Sequence, residues 1–237
     1  MATKKRVFLG AYLNSINAQN LNCRALAQHI DSKKFECGAM EIETDELPSL
    51  SSSVKIFKAH WPHRLSMYNS YLRGILWSDI VYLPKTEASR WCRFLCWLFK
   101  KPSFSTIESV DEGTNWEKQL NNFGHKTAYL NHYMGFNMLF AISKYIAYKN
   151  TELHGLNFNG ILPLGVDLPS FDSNIKKELQ SVIIIGNNLY YKGWNMYLQL
   201  ATAFPTINFH VVGSGMGLIN PKEERQHLNN VICHGQL

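Results

Sequence analysis

The residues that most restrict how this chain can fold are 181–217, SVIIIGNNLYYKGWNMYLQLATAFPTINFHVVGSGMG. Residues 182–185 are an unbroken β-branched run that stops at Gly186, the pattern of a parallel strand buried on both faces and followed by a tight turn. A short polar loop, 187–193, ends in Lys192 and Gly193. Residues 194–204 then carry apolar side chains at Met196, Leu198, Leu200, Ala201 and Phe204, a helical spacing that Pro205 closes. A second apolar run, 207–212, again ends in glycine, at Gly213-Ser214-Gly215. Strand, helix and strand with glycine at each strand end make a βαβ unit of an open parallel sheet. Such sheets bind ligands beyond the carboxyl ends of their strands, here 186–193 and 213–217.

The remainder alternates in the same way, which predicts an α/β chain. Strands are expected at 7–13, 35–42, 54–57, 79–84, 102–107, 138–142, 160–164 and 231–234. Helices are expected at 24–30, from an opening at 60–64 to about Trp77, at 87–101 and around 115–120. The loop 14–22 holds Asn14, Asn17, Asn20 and Asn22. Asparagine offers two donors and an acceptor, which suits both sugar hydroxyls and ordinary turns or helix caps. Glu108, Asp111 and Glu112 follow the strand 102–107, so the chain places an acidic cluster at a strand end. One use for such acids is chemistry, and the other is capping the next helix.

The helix at 87–101, EASRWCRFLCWLFKK, is the most apolar one, and Trp91, Phe94, Leu95, Trp97, Leu98 and Phe99 nearly encircle it. Two environments fit it: burial between the sheet and neighbouring helices, or peripheral contact with a membrane through Trp91, Phe94 and Trp97, with basic residues at its ends. No apolar run reaches membrane-spanning length. The formal charge of +6 favours anionic partners such as nucleotide diphosphates or lipid headgroups. None of the recognised nucleic-acid modules is present, so nucleic acid is not an expected partner. The five cysteines are odd in number and form no CxxC pair, which reads as reduced thiols in a cytoplasmic protein. A dinucleotide-dependent dehydrogenase is disfavoured, because no G-x-G-x-x-G follows the first strand.

Gly186, Lys192-Gly193 and VVGSGM together resemble the start of the donor-binding domain of GT-B glycosyltransferases of the family 4 type. The stretch GILPLGVDLPSF resembles that family's interdomain hinge, through Pro163, Gly165, Val166, Asp167 and Phe171. The resemblance implies a GT-B-like α/β chain. Residues 1–166 would be an N-terminal Rossmann-like, acceptor-side domain. Residues 167–237 would be the first part of a second Rossmann-like domain for the donor nucleotide. That family's acidic Glu-x7-Glu element is not among these residues, so a C-terminally truncated chain is expected.

The resemblance further implies transfer, with retention, of a sugar from a nucleotide-sugar donor to a glycan or lipid-linked acceptor in cell-surface polysaccharide synthesis. The chain would lie in the cytoplasm or at the inner face of the membrane. The donor site would comprise Gly186, Asn187, Lys192, Gly193, Gly213 and Gly215. The family's arginine position is filled by Asn187, and a neutral amide cannot supply the charged bidentate fork, so Lys192 and backbone amides are left to hold the diphosphate. Asn14, Asn17 and Asn20 fall in the loop that faces the acceptor. Glu108 falls where the family places a residue facing the reacting sugar. Neither a metal nor a cofactor is implied, the nucleotide sugar being a substrate. The alternative is an α/β protein that binds nucleotides without transferring anything, or an inactive remnant.

Overall fold

Six consecutive buried residues, Val7 to Tyr12, run through the first strand, β1 (Lys5–Tyr12), as befits an interior strand of the larger sheet. The computed structural model describes residues 3–43, 46–60, 63–84, 89–165, 178–215, 219–225 and 227–235. β1 pairs in parallel with β2 (Phe35–Ile42) on one side and β4 (Ile80–Tyr82) on the other. With β3 (Lys55–Ala59), β5 (Ser103–Ile107), β6 (Met138–Ala141) and β7 (Gly160–Ile161), the order is β3-β2-β1-β4-β5-β6-β7, and every pairing is parallel. The strand order reverses between β1 and β4. In a doubly wound sheet that reversal opens a crevice at the carboxyl edge.

Alternation along β1 divides the core. Phe8 and Tyr12 point to the face covered by α2 (His63–Trp77) and α3 (Ser89–Leu98), among Met40, Phe57, Tyr71, Ile75 and Leu95. Phe8 meets the rings of Phe57 and Tyr71 edge-on, with centroids 5.6 Å and 6.2 Å away. Val7, Leu9 and Ala11 point to the opposite face, against Cys23 and Ala27 of α1 (Ala18–His29). Covered faces on both sides explain why this strand is apolar without interruption.

α4 (Gly113–Phe123), α5 (Lys126–Met134) and α6 (Lys144–His154) complete the first unit. The segment of α5 carried no helix expectation. α6 starts at Ser143, whose hydroxyl accepts from the Ile146 N–H, the usual cap. A further departure from expectation is α1, which begins six residues earlier than the helix read at 24–30. Asn17 caps it by accepting from the N–H groups of Gln19 and Asn20, so Asn20 and Asn22 are helical.

The chain divides into two compact units, Met1–Asp167 and Leu168–Leu237. The second contains β8 (Ser181–Gly186), a 3-10 turn at Tyr190–Lys192, α7 (Trp194–Ala203), β9 (Asn208–Gly213), the short α8 (Pro221–Glu224) and β10 (Val231–Gly235). Its sheet is parallel, in the order β10-β9-β8. α7 lays Trp194, Tyr197 and Ala201 on Ile184, Phe209, Val211 and Val231. The Tyr197 hydroxyl reaches the carbonyls of both Val182 (3.1 Å) and His210 (2.8 Å). The expectation of a strand buried on both faces is corrected here. Ile183 and Ile185 are 57% and 62% exposed, because the described residues cover one face of this sheet only. The hinge residues Val166, Asp167 and Phe171 lie outside the described residues, as do 216–217 of the second glycine loop.

Candidate functional site

In the first unit the site is built at the carboxyl edge of the sheet beside the β1/β4 reversal. A cleft of about 360 Å³ lies there, lined by residues that include Asn22, Leu26 and His29 of α1, Tyr82 of β4, Thr106 of β5 and Pro163. Tyr82 is fixed in it. Its ring stacks on Phe104 with centroids 4.6 Å apart, and its hydroxyl shares a 2.8 Å hydrogen bond with Thr106 Oγ1. The walls are mostly apolar with a few converging polar groups, as ligand clefts usually are.

Glu108 stands immediately beyond β5, next to this cleft. Asn22 hydrogen-bonds its carboxyl, which links it to the cleft wall. Its Oε1 is buried without a hydrogen-bond partner. Burial raises the Glu108 pKa above the ordinary carboxylate value, and the Asn22 bond offsets only part of that. A desolvated carboxylate with an unused lone pair at a sheet's carboxyl edge is equipped to accept a proton or a hydroxyl hydrogen bond.

The other two acids of the cluster have different duties. Asp111 is fully buried and accepts from the Tyr129 hydroxyl at 2.5 Å, from Gln119 Nε2 at 3.2 Å and from Ser109 Oγ at 3.3 Å. Its own backbone N–H donates to Asn150 Oδ1, and its carbonyl accepts from His154 Nε2. It ties α4, α5 and α6 to the end of β5. Glu112 occupies the cap position of α4 and makes no side-chain cap bond.

The asparagines separate. Asn14 is buried and exchanges two hydrogen bonds with the backbone of Ile42, at 2.8 Å and 3.1 Å. Asn17 is the helix cap. Asn20 is buried and accepts from the Tyr12 N–H at 3.1 Å. These three hold β1, β2 and α1 together at the carboxyl edge, and Asn22 is the one that reaches Glu108. Asn14 also borders a second, open groove of about 920 Å³ over the ends of β1 to β3. The acids of that groove are partnered. Glu41 accepts from Ser49 Oγ and the Leu50 N–H, and Glu43 pairs with His60 at 2.9 Å.

In the second unit the loops after β8 and β9 are zipped together. The Ser214 N–H donates to the Gly186 carbonyl at 3.2 Å, Ser214 Oγ to the Asn187 carbonyl at 3.0 Å, and the Leu189 N–H to the Ser214 carbonyl at 3.3 Å. Gly213 sits at φ +118°, and a Cβ there would lie 2.0 Å from the Gly186 carbonyl oxygen. Gly193 joins the 3-10 turn to α7 at φ +87°, a left-handed conformation that favours glycine. A Cβ on Gly186 would meet Lys192 Cγ at 3.2 Å, so the lysine stem runs across the end of β8. Lys192 and Asn187 are both exposed. The structure therefore gathers Gly186, Asn187, Lys192 and Gly213 at one sheet edge. A Cβ on Gly215 would meet the Ile219 carbonyl at 1.9 Å, which makes that glycine a packing requirement. Sequence reasoning passed over Asn188, whose Oδ1 is buried without a partner in the same loop. Among the described residues no group of three or more His, Cys, Asp or Glu could hold a metal ion. No helix among them is long and apolar enough to cross a membrane.

By sequence, no protein-family model and no curated protein matches the chain. By structure, it is similar to Anabaena Alr3699/HepE in complex with UDP-glucose, at 13% identity and a TM-score of 0.69, over 98% of this chain and 69% of that one. It is also similar to Arabidopsis thaliana UGT89C1 complexed with UDP, at 12% identity and a TM-score of 0.54, over 98% of this chain and 71% of that one. Acinetobacter baumannii MurG matches at 11% identity and a TM-score of 0.52, over 98% and 65%. These likenesses establish the fold, an α/β chain of the GT-B kind with a parallel seven-stranded sheet flanked by helices.

Proposed function

We propose that the protein is a glycosyltransferase that moves a hexose from a nucleotide sugar to a glycan or lipid-linked acceptor in cell-surface polysaccharide synthesis. The observation that carries the reading is Glu108, a carboxyl with a buried, unpartnered oxygen at the carboxyl edge of β5, beside a cleft of ligand size. The zipped glycine loops and Lys192 supply the donor side, where a cation and backbone N–H groups offset the charge that develops on a diphosphate leaving group. The fold's occurrence in a protein solved with UDP-glucose makes a UDP-sugar the first donor to try.

In this reading the nucleotide diphosphate lies along Gly186, Asn187, Lys192, Gly193, Gly213 and Gly215. The acceptor enters the cleft over Asn22, Tyr82 and Thr106, and Glu108 takes up a hydroxyl of the reacting sugar. Asn14, Asn17 and Asn20 act by fixing the loop that borders the acceptor. Trp91, Phe94 and Trp97 provide peripheral contact with the membrane that would hold a lipid-linked acceptor. Retention at the anomeric carbon is the proposed outcome.

The test is incubation with a panel of UDP-sugars while free UDP is followed, with and without lipid-linked and free-glycan acceptors. Acceptor-dependent UDP release that disappears in Glu108→Gln supports transfer, and the anomeric proton coupling of the product reads the stereochemistry. The second reading, a nucleotide-binding protein without transfer, is favoured by Asn187, an amide where the resembled family uses arginine. Tight UDP binding with no release of UDP from any donor would select it.

A further inference from the structure

α3 exposes a row of aromatic rings that its own fold leaves uncovered. Cys92, Leu95 and Cys96 take the inward face. Trp91, Phe94 and Trp97 point outward, and Trp97 is 74% exposed. Their centroids are 5.9 Å and 5.9 Å apart in succession, and Tyr68 of α2 extends the row at 6.4 Å from Trp91. Leu98 and Phe99 continue the exposed surface at the helix end. Burying an aromatic row is strongly favourable, so a face of this kind calls for an apolar partner.

The chain turns at the end of α3 through Lys100, at φ +51°, and enters β5. A cleft of about 530 Å³ opens there, lined among others by Arg93, Trp97, Lys100, Lys101 and Asn137. It lies at the amino edge of the sheet, opposite to Glu108. None of its three cations forms an ion pair among the described residues. Arg93 donates through Nη1 to the Asn131 carbonyl at 2.8 Å, while its Nε is buried without a partner. Lys101 donates to the carbonyls of Leu76 and Ser78. Lys100 is exposed.

We propose that the aromatic row and this basic cleft form one docking surface for an anionic bilayer, with the rings in the interfacial layer and the phosphate of an acidic lipid held by Arg93, Lys100 and Lys101. The proposal rests on the membrane contact in the functional reading above and adds the chemistry of the lipid and the residues that select it. Two features favour a bilayer over a protein partner. Tryptophan beside apolar and basic residues is the composition that settles at the headgroup level. Lys100 is exposed beside the rings and Arg93 Nε has no partner, so positive charge and an unused donor sit next to the apolar row where a lipid phosphate would lie.

The test is sedimentation of the full chain with vesicles of phosphatidylcholine alone or mixed with phosphatidylglycerol, supported by the emission of its six tryptophans. The expected result is binding to the mixed vesicles about tenfold or more above that to neutral ones, weakening as salt rises. Lys100→Gly should lower the anionic binding about fivefold, the effect of one cation at a charged leaflet. Glycine suits the φ of that turn, so this variant removes the charge without strain. Trp97→Ala should lower binding to both vesicle types. If Lys100→Gly and Arg93→Gln bind mixed vesicles as the native chain does, the headgroup site is refuted and the aromatic contact stands. If no vesicle binds, the membrane contact itself is refuted, whatever the transfer assay gives. If millimolar inorganic phosphate binds alone and leaves anionic and neutral vesicles indistinguishable, the cleft is a site for free phosphate and the lipid assignment fails.

Discussion

Replacing Glu108 by Gln separates a working carboxylate from a surface acid, because the two roles predict opposite movements of stability and activity. The amide keeps the size of the side chain, and its carbonyl can still accept the hydrogen bond from Asn22 that the carboxyl takes now. What is lost is the charge. In the native protein the ionised form is held in a desolvated place with Oε1 unpartnered, which is why its pKa is raised. Holding that charge in a desolvated place is what costs stability, and the amide removes it. The residue is only half-buried, so solvent screens part of the cost and about 1 kcal/mol is the reasonable expectation. Glu108→Gln should therefore be about 1 kcal/mol more stable than the native chain at pH 8. The gain should shrink toward pH 4, where the native carboxyl is protonated. In the same variant, sugar transfer should fall by about 10²–10⁴, the usual share of a positioned acid or base. Urea unfolding at the two pH values and UDP release from the working donor measure the pair. Unchanged stability at both pH values together with full activity would refute the site.

Lys192→Ala should weaken nucleotide-sugar affinity by about 1–3 kcal/mol, the scale of one charge-assisted contact, and calorimetry with a UDP-sugar would show it; unchanged affinity removes Lys192 from the donor site. Gly213→Ala and Gly193→Ala form a graded pair. The first places a Cβ 2.0 Å from the Gly186 carbonyl at a left-handed φ and should cost about 3 kcal/mol or more. The second meets nothing within 4 Å and should cost only the about 1–2 kcal/mol of the backbone conformation, so equal melting shifts would contradict the packing described. Acid should destabilise the first unit through His132, whose pKa is lowered to about 3 by burial and then by Arg93 and Arg90. The unfolded chain takes a proton near pH 6.5 that the native state refuses, so this contribution is complete above about 6.5 and is lost as the pH falls toward 3. Glu108 acts in the opposite sense, since its raised pKa adds stability at low pH that disappears as the pH rises. In Glu108→Gln, where that opposing contribution is absent, a urea midpoint that does not move between pH 7.5 and pH 5 would show that His132 is not held neutral by burial.

How far the sequence discloses this molecule depends on whether a feature is local. The βαβ unit at 181–213 was legible because β-branched runs, glycines at the strand ends and a terminating proline all lie within a few residues of one another. The order of the larger sheet was not legible, since nothing near β1 announces that its second neighbour is β4. Asn17 shows the same boundary from the other side. It is a good cap, but the turn after it carries Gln19, Asn20 and Asn22 and no acid, so the polar residues read as loop and the helix was placed too late. Asn20 then looked free for a sugar, because its partner, the Tyr12 N–H, comes within reach only when α1 packs on β1. Glu108 could be placed at the sheet edge from the strand before it. Its unpartnered oxygen depends on the cleft that α1 brings across, so it was invisible until the fold was in hand. α3 is the most instructive case. Its aromatic and aliphatic residues encircle the helix, and no face stood out. The structure shows an inward seam of Cys92, Leu95 and Cys96, in which two small, soft thiols behave as ordinary apolar side chains. Once the cysteines are counted as core, the tryptophans and Phe94 are left over, and the helix has one face on the sheet and another that stays exposed.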